Sequence, residues 1–188
     1  MNDNLISIGV SNHHVHLTRE VLDILFGKDY ELTNKRNLVQ KGQFACEETV
    51  TLERNGKTLE HIRIIGPVRN YTQVELLEKD NEYFSIKAPV RSSGDLKGSE
   101  SITIIGPNGI YEAIESTIVA DKHIHMSAED LIKFNKNNKE IVSVKCENGV
   151  ILNDVKIKSD ETCVLELHMN KDDAISLGIE TGMKVEIC

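Results

Sequence analysis

The chain consists largely of short apolar runs, five to eight residues long, that are separated by turn signals. Many of them alternate apolar and polar residues and are rich in Val, Ile and Thr, which is typical of strands with one buried face. The runs are residues 6–10, 50–54, 59–66, 72–77, 101–106, 141–146, 155–159, 163–169 and 183–188. Glycine-containing turns such as residues 54–57, 105–109 and 147–149 lie between them. Short strands at this spacing predict a mainly β fold of barrels or sandwiches.

Helical patterns are few, and helices are therefore expected only as short caps on the β-structure. They occur at residues 18–27, 127–136 and 170–178. A chain of 188 residues is long enough for one or two domains. The polar stretch richest in Gly and Ser, residues 91–100, is the expected boundary. We expect a first barrel domain at residues 1–92 and a second at residues 93–188, with the C-terminal strand able to pack on the first.

One strand-turn-helix pattern occurs twice, because SNHHVHLTREVLDIL at 11–25 resembles ADKHIHMSAEDLIKF at 120–134. Each copy has His-aliphatic-His, then Leu or Met, then Thr or Ser before a helical pattern. Thr18 and Ser127 are the predicted N-caps, and an acidic residue follows each in the first helical turn, where the helix dipole favours negative charge. Two similar barrels that meet at a shared site would explain the repeat.

Composition excludes several classes of protein. The chain has 22 Lys and Arg against 30 Asp and Glu, a net charge of −8, which argues against a nucleic-acid partner. No apolar run approaches the ~20 residues of a membrane span, and the first residues lack the pattern of a signal peptide. We therefore expect no membrane partner.

The cysteines form no CxxC pair and are expected to be free thiols in a reducing cytoplasm: Cys46, Cys146, Cys163 and Cys188.

Two His-x-His pairs are the strongest chemical signal in the chain: His14 with His16, and His123 with His125. Residues i and i+2 of a strand point to one face, so two imidazoles in this spacing can converge on one metal ion, by default zinc. A metal site needs three or four protein ligands, and Glu75 and His168, both in predicted strands, are candidates to complete the pairs. His61 is expected to have no role, and His13 is expected to face away from the metal.

Arg69 follows a Gly-Pro turn at the end of a predicted strand, where its planar guanidinium could bind an oxyanion. Arg63 and Arg91 are weaker candidates of the same kind. The sequence contains no P-loop, no dinucleotide-binding glycine pattern and no nucleophile-elbow motif. A cysteine nucleophile has little support, because no histidine is adjacent to a cysteine in the sequence.

These blocks together resemble the PduL-type phosphotransacylases, also named phosphate propanoyltransferases. The resemblance covers nearly the whole chain, and its blocks occur in the family's order: SNHHVHL (11–17), QKGQFACEETV (40–50), GPVRNYTQVE (66–75), APVRSSGDLKGS (88–99), ADKHIHM (120–126) and His168. The resemblance implies two β-barrels capped by short helices, with the active site between them, and two zinc ions. It implies one zinc on His14, His16 and Glu75, and another on His123, His125 and His168.

The family transfers an acyl group between coenzyme A and inorganic phosphate, so acyl-CoA and phosphate are the implied substrates. By motif, Arg69 matches the arginine that binds phosphate, and Ser11 and Arg63 match positions that contact coenzyme A. With no evident covalent nucleophile, we expect direct attack of phosphate on the zinc-activated thioester of propanoyl-CoA or acetyl-CoA. The chain departs from the family pattern at four positions, none of them an implied zinc ligand: His13, Lys41, Lys122 and Ile175.

Two other functions stay open at this point, a zinc-dependent thioesterase or other hydrolase and a non-catalytic zinc-binding module. A phosphate requirement for thioester loss would separate the first from a transferase, and four protein ligands around each metal would favour the second. Family members packaged in bacterial microcompartments often carry an amphipathic N-terminal extension, whereas only ten residues precede SNHHVHL. We therefore expect a bacterial cytoplasmic enzyme rather than a microcompartment one. The oligomeric state stays open, a homodimer included.

Overall fold

The computed structural model of the protein describes residues 4–188, which form two compact units. We call the unit of residues 13–38 and 42–120 the central barrel, and the unit of residues 4–12, 39–41 and 121–188 the terminal barrel. Each unit contains a closed ring of six strands, and two short helices accompany each ring. The prediction of a mainly β protein with two barrels and short α-helices is therefore confirmed.

The central barrel contains eight strands and two helices. Its strands are β2 (His14–His16), β3 (Asn34–Asn37), β4 (Phe44–Arg54), β5 (Lys57–Gly66), β6 (Gln73–Leu76), β7 (Val90–Arg91), β8 (Glu100–Ile105) and β9 (Ile110–Ala120). Its helices are α1 (Arg19–Phe26) and α2 (Glu78–Phe84). The ring runs β4-β5-β2-β6-β9-β8 and closes where β8 pairs with β4. The strands β3 and β7 extend it beside β4 and β9.

The terminal barrel combines both ends of the described chain. Its strands are β1 (Ile6–Ser11), β10 (His123–His125), β11 (Ile141–Cys146), β12 (Ile151–Lys158), β13 (Glu166–Asn170) and β14 (Lys184–Ile187). Its helices are α3 (Ala128–Phe134) and α4 (Lys171–Ser176). The closed order is β1-β13-β10-β12-β11-β14, and β14 pairs with both β1 and β11.

The two barrels do not follow the expected boundary at residues 92 and 93. The strands β8 and β9 come after residue 93 yet complete the central barrel, and β1 precedes it yet belongs to the terminal barrel. Closure gives the physical reason. Without β8 and β9, the strands β4 and β6 would each expose an unpaired edge, and ring closure satisfies those backbone groups.

Each barrel has its own apolar core, and the core residues alternate along the strands as predicted. In β2, the buried Val15 belongs to the central core, which places His14 and His16 on the opposite face of the sheet. In β10, the buried Ile124 belongs to the terminal core and has the same effect on its two flanking histidines. The cores therefore fix which way both His-x-His pairs point.

The three predicted helices are present, and both predicted caps are made. The Oγ1 atom of Thr18 accepts a hydrogen bond from the backbone N–H of Val21, and the Oγ atom of Ser127 accepts one from the N–H of Asp130, both over 3.2 Å. In both barrels, the capping residue lies two positions after the His-x-His strand and begins the helix that follows it. Among residues 4–188, no helix combines the length and the apolar composition needed to cross a membrane.

Candidate metal centres

The first candidate centre lies on two paired strands of the central barrel. The strand β2 is antiparallel to β6, and their register sets His14 opposite Glu75. The Nε2 atoms of His14 and His16 are 3.1 Å apart. The Glu75 carboxylate approaches both rings, with 3.4 Å between its Oε2 and Nε2 of His14 and 3.7 Å between its Oε1 and Nε2 of His16. The three residues that the sequence suggested for one metal are therefore brought together.

This donor set, which we call the central cluster, fits a divalent metal such as zinc. The ligand atoms of a tetrahedral zinc site, each about 2.0–2.1 Å from the ion, are themselves about 3.3 Å apart, close to the three spacings observed. Nδ1 of His16 lies 3.2 Å from the carbonyl oxygen of Ile65 and donates to it. That bond leaves the lone pair on Nε2, the atom that faces Glu75.

Burial and charge set the ionisation of the central cluster. Burial lowers the pKa of His16 to about 4, so the ring is neutral near pH 7 and can act as a ligand. Burial alone would raise the pKa of Glu75, but the neighbouring His14 and the guanidinium of Arg69 outweigh it. The pKa of Glu75 is therefore lowered, and its carboxylate is ionised at neutral pH.

Arg69 lies close enough to this cluster to influence the pKa of both His16 and Glu75. Its backbone N–H donates to the carbonyl of Leu17 over 2.8 Å, which ties the arginine to the residue just after β2. The polar contacts that its guanidinium makes with described residues are long, at 3.4 Å to the hydroxyls of Tyr71 and Ser93 and 3.5 Å to the side-chain oxygen of Gln43. Within residues 4–188, no carboxylate oxygen lies within 4.0 Å of it. The positive charge is therefore available to an anionic ligand.

Gln73 belongs to the central cluster, although the sequence analysis did not single it out. It lies on β6 opposite His16, and it is fully buried. Its Nε2 donates to Oε1 of Glu75 over 2.6 Å and to the hydroxyl of Ser93 over 2.9 Å, and its Oε1 accepts from the N–H of Gly94 over 2.8 Å. Gln73 thus links the metal-binding candidate Glu75 to the polar group around Arg69.

The second candidate centre, the terminal cluster, repeats this arrangement on β10 and β13. The register sets His123 opposite His168, and the Nε2 atoms of His123 and His125 are 3.1 Å apart. The rings of His125 and His168 meet edge to face, with centroids 4.5 Å apart. The three predicted histidines are therefore brought together as well.

Hydrogen bonds and burial act on two of these rings, His123 and His125. Nδ1 of His123 donates to the carbonyl of Asp121 over 2.8 Å, which leaves the lone pair on Nε2. Nδ1 of His125 lies 3.3 Å from the sulfur of Cys163. Burial, reinforced by the charges of His123 and His168, lowers the pKa of His125 far below its ordinary value. Three imidazoles are a donor set that suits zinc, as the donors of the central cluster do.

Glu166 is a second site residue that the sequence analysis missed. It lies opposite His125 in the register of β13 with β10, and only 8% of its surface is exposed. Its Oε2 is 2.5 Å from Nε2 of His168. The pattern that could have revealed both missed residues is their spacing, since Gln73 and Glu166 each precede a candidate ligand by two residues on a strand.

The other residues considered lie apart from these donor groups. Arg63 donates from Nη1 to the carbonyls of Cys46 and Glu47, each over 2.8 Å, and the hydroxyl of Ser11 donates to the carbonyl of Met169 over 3.3 Å. Nδ1 of His13 is 3.0 Å from Oδ2 of Asp80, outside the donor group of His14.

His61, for which no role is expected, has a side chain that is 87% exposed, and its Nε2 lies 4.0 Å from the carboxylate of Glu60. Arg91, the other weak candidate, donates from Nη1 to the carbonyl of Lys97 over 2.6 Å and lies 3.6 Å from the carboxylate of Asp95. Its charge is therefore already paired with a carboxylate within 4.0 Å.

The known proteins reported below, to which this chain is similar, carry one family name. The family model described as phosphate propanoyltransferase matches residues 7–180. The phosphate propanoyltransferase of Thermotoga maritima is 44% identical over 185 residues, which cover 97% of this chain and 88% of that protein. Those of Lachnoclostridium phytofermentans and Clostridioides difficile are 40% and 38% identical, over 97% of this chain and 86% and 88% of their own lengths. The chain therefore belongs to the phosphate propanoyltransferase family.

Proposed function

We propose that the protein transfers a short-chain acyl group, propanoyl or acetyl, between coenzyme A and inorganic phosphate. The observation that carries the proposal is the position of Arg69. No carboxylate oxygen of the described residues lies within 4.0 Å of its guanidinium, which lies beside a buried donor set suited to a divalent metal. An anion-binding group beside a candidate metal site suits an enzyme that brings phosphate to a thioester. Membership of the family supports the same reaction.

In this proposal, Arg69 binds and orients phosphate. A guanidinium can donate two parallel hydrogen bonds to phosphate oxygens, and its charge offsets the charge of the anion. The hydroxyls of Tyr71 and Ser93, both 3.4 Å from Nη1 of Arg69, lie where they can add further hydrogen bonds. Ser93 also accepts from Gln73, so its own proton is free to be donated to the anion. We also propose that Ser11 and Arg63 contact coenzyme A.

We propose that each cluster holds one zinc ion, the central one on His14, His16 and Glu75 and the terminal one on His123, His125 and His168. When bound, such an ion supplies Lewis-acid stabilisation to a thioester carbonyl or to a leaving thiolate. The chain's own residues keep these donors ready, because burial keeps His16 neutral and Gln73 holds the carboxylate of Glu75 in place.

The transfer is proposed to be direct. A phosphate oxygen forms the new bond to the acyl carbon, the carbon–sulfur bond breaks, and the thiolate of coenzyme A leaves with the bonding electrons. The buried cysteines do not suit a covalent route, because burial raises the pKa of the thiol in Cys46 to about 11 and also raises it in Cys146 and Cys163. Isolation of an acyl-enzyme would contradict this step.

The test is release of free thiol from propanoyl-CoA and acetyl-CoA by zinc-loaded protein, with and without phosphate. We expect release only with phosphate, together with an acyl phosphate that hydroxylamine traps as the hydroxamate. Replacement of His14 by Ala should abolish activity, whereas His61→Ala, a matched change at an exposed histidine of the same barrel, should not. Release without phosphate would show a hydrolase instead, and no release would contradict an acyltransferase.

A further inference from the structure

Gln73 and Glu166 occupy equivalent positions in the two clusters. Each lies two residues before the third metal-binding candidate on its strand, Gln73 before Glu75 on β6 and Glu166 before His168 on β13. Each also stands opposite the second histidine of a His-x-His pair in an antiparallel register. Each barrel therefore carries a square of four side chains, two on each of two paired strands, and three of the four are proposed metal ligands.

The fourth side chain in each square makes a short contact with the third. Gln73 approaches Glu75 with 2.6 Å between Nε2 and Oε1, and Glu166 approaches His168 with 2.5 Å between Oε2 and Nε2. The direction of this hydrogen bond differs between the two squares, because the third side chain is a carboxylate in one and an imidazole in the other. An anionic carboxylate needs a hydrogen-bond donor, which the amide of Gln73 supplies, and an imidazole needs an acceptor for its N–H, which the carboxylate of Glu166 supplies.

The surroundings of Glu166 leave His168 as its principal partner. Its carboxylate is buried, and within residues 4–188 no lysine or arginine nitrogen lies within 4.0 Å of it. The neighbouring strand β1 makes room for it at Gly9, which is paired with His168. A Cβ atom at position 9 would lie 2.9 Å from Cδ of Glu166 and 3.0 Å from both carboxylate oxygens. The absence of a side chain at Gly9 therefore keeps this carboxylate beside the imidazole.

We propose that Glu166 is a positioning residue of the terminal metal centre, which fixes the ring orientation and the tautomer of His168. An imidazole that donates one N–H to a carboxylate holds its lone pair on the other nitrogen and becomes a stronger ligand. The inference rests on the metal binding proposed above, and it assigns to Glu166 the function that Gln73 has for Glu75. Loss of such an outer partner typically weakens metal binding by about 10–100-fold.

The terminal centre can be measured alone in a His14→Ala background, in which the central cluster lacks one ligand. Zinc affinity is determined by competition with a chromophoric chelator, and folding of the metal-free proteins is checked by far-ultraviolet circular dichroism. We expect Glu166→Ala to weaken the remaining site by about 10–100-fold. Glu166→Gln, whose amide oxygen can still accept the hydrogen bond, should restore most of the affinity. Glu186→Ala, a matched change at an exposed carboxylate of the same barrel, should have no effect.

Gly9→Ala is an independent test that changes no charge and no ligand. The added methyl group would displace the Glu166 carboxylate from His168, so zinc affinity should fall as in Glu166→Ala. Glu166→Gln keeps a polar group in the buried position, and Gly9→Ala keeps Glu166 itself, so the test does not depend on whether Glu166→Ala folds. If both Glu166→Ala and Gly9→Ala bound zinc as tightly as the His14→Ala parent, this inference would be overturned and the proposed function would stand. A His14→Ala parent that binds no zinc would overturn the metal part of the proposed function as well.

Discussion

Acidification should destabilise the metal-free central barrel through His16, before its carboxylates are protonated. The unfolded chain protonates this imidazole near its ordinary pKa of 6.5, whereas burial holds the pKa in the folded barrel at about 4. Between these values the unfolded state binds more protons, so the free energy of unfolding falls as the pH falls. Glu75 contributes little in this range, because its lowered pKa means that its stabilising ionisation is lost only at more acidic pH.

The size of the effect follows from the two pKa values of His16. A full shift from 6.5 to about 4 corresponds to about 3 kcal/mol of stability. Between pH 7.5 and pH 5, the ratio of the two proton-binding polynomials gives a loss of about 2 kcal/mol. The conversion applies because the side chain of His16 is only 3% exposed, so solvent does not screen the change.

Urea unfolding of chelator-treated protein measures this loss. The chain has no tryptophan and all four tyrosines lie in the central barrel, so tyrosine fluorescence reports the unfolding of that unit. The His16→Gln variant, which cannot be protonated there, should lose about 2 kcal/mol less than the wild type between pH 7.5 and pH 5. His61→Gln is the control and should behave as the wild type. Equal losses in wild type and His16→Gln would refute the argument that burial keeps this ring neutral.

Two further predictions concern the proposed anion site and the terminal core. Arg69→Ala should raise the KM for phosphate about 10-fold or more, the worth of a charged hydrogen bond, with zinc content unchanged and with the exposed Arg36→Ala as control; an unchanged KM and kcat would remove Arg69 from the site. Ile157→Ala should lower the free energy of unfolding by about 2–5 kcal/mol because it leaves a cavity in the terminal core. Ile151→Ala, on the same strand but 57% exposed, should lower it by less than about 0.5 kcal/mol. Urea unfolding followed by circular dichroism measures both, and similar losses would contradict the core assignment.

The elements that the sequence predicted are those with strong local patterns. The alternating runs became strands, and Thr18 and Ser127 cap helices as expected, because burial and capping depend on neighbouring residues. The helix α2 was not predicted, since its sequence EKDNEYF has four charged residues and a non-polar N-cap residue, Leu77. The exposed strand β3, with the sequence NKRN, has no apolar alternation and exists because it pairs with β4.

The assignment of strands to barrels depends on contacts that are distant in the sequence. The strand β1 pairs with β13 and β14, about 160 residues or more away, so the order of residues along the chain carries no local signal of that pairing. The composition of residues 91–100 indicated a loop, and a loop is not necessarily a domain boundary. A boundary prediction based on composition therefore missed a barrel whose closing strands lie on the far side of that segment.

The candidate clusters were predictable to the extent that their residues recur at a fixed spacing. The His-x-His pairs were visible directly, and resemblance to the family assigned Glu75 and His168 to them. The structure shows that the repeat extends further. The residue before the first histidine pairs with an aspartate five positions after the third donor in both barrels, His13 with Asp80 at 3.0 Å and Lys122 with Asp173 at 3.9 Å.

The longer repeat was not recognisable in the sequence, because corresponding positions of the two barrels hold different residue types. His13 and Lys122 each pair with an aspartate, and Gln73 and Glu166 each contact the third candidate ligand of their cluster, yet the two residues of each pair differ in type. What the two barrels share is the position of each group relative to a paired strand, because the register fixes which side chains meet. The identity at each position then follows from its partner, an amide for a carboxylate and a carboxylate for an imidazole. Physical complementarity, rather than residue identity, is therefore the feature by which the two centres correspond.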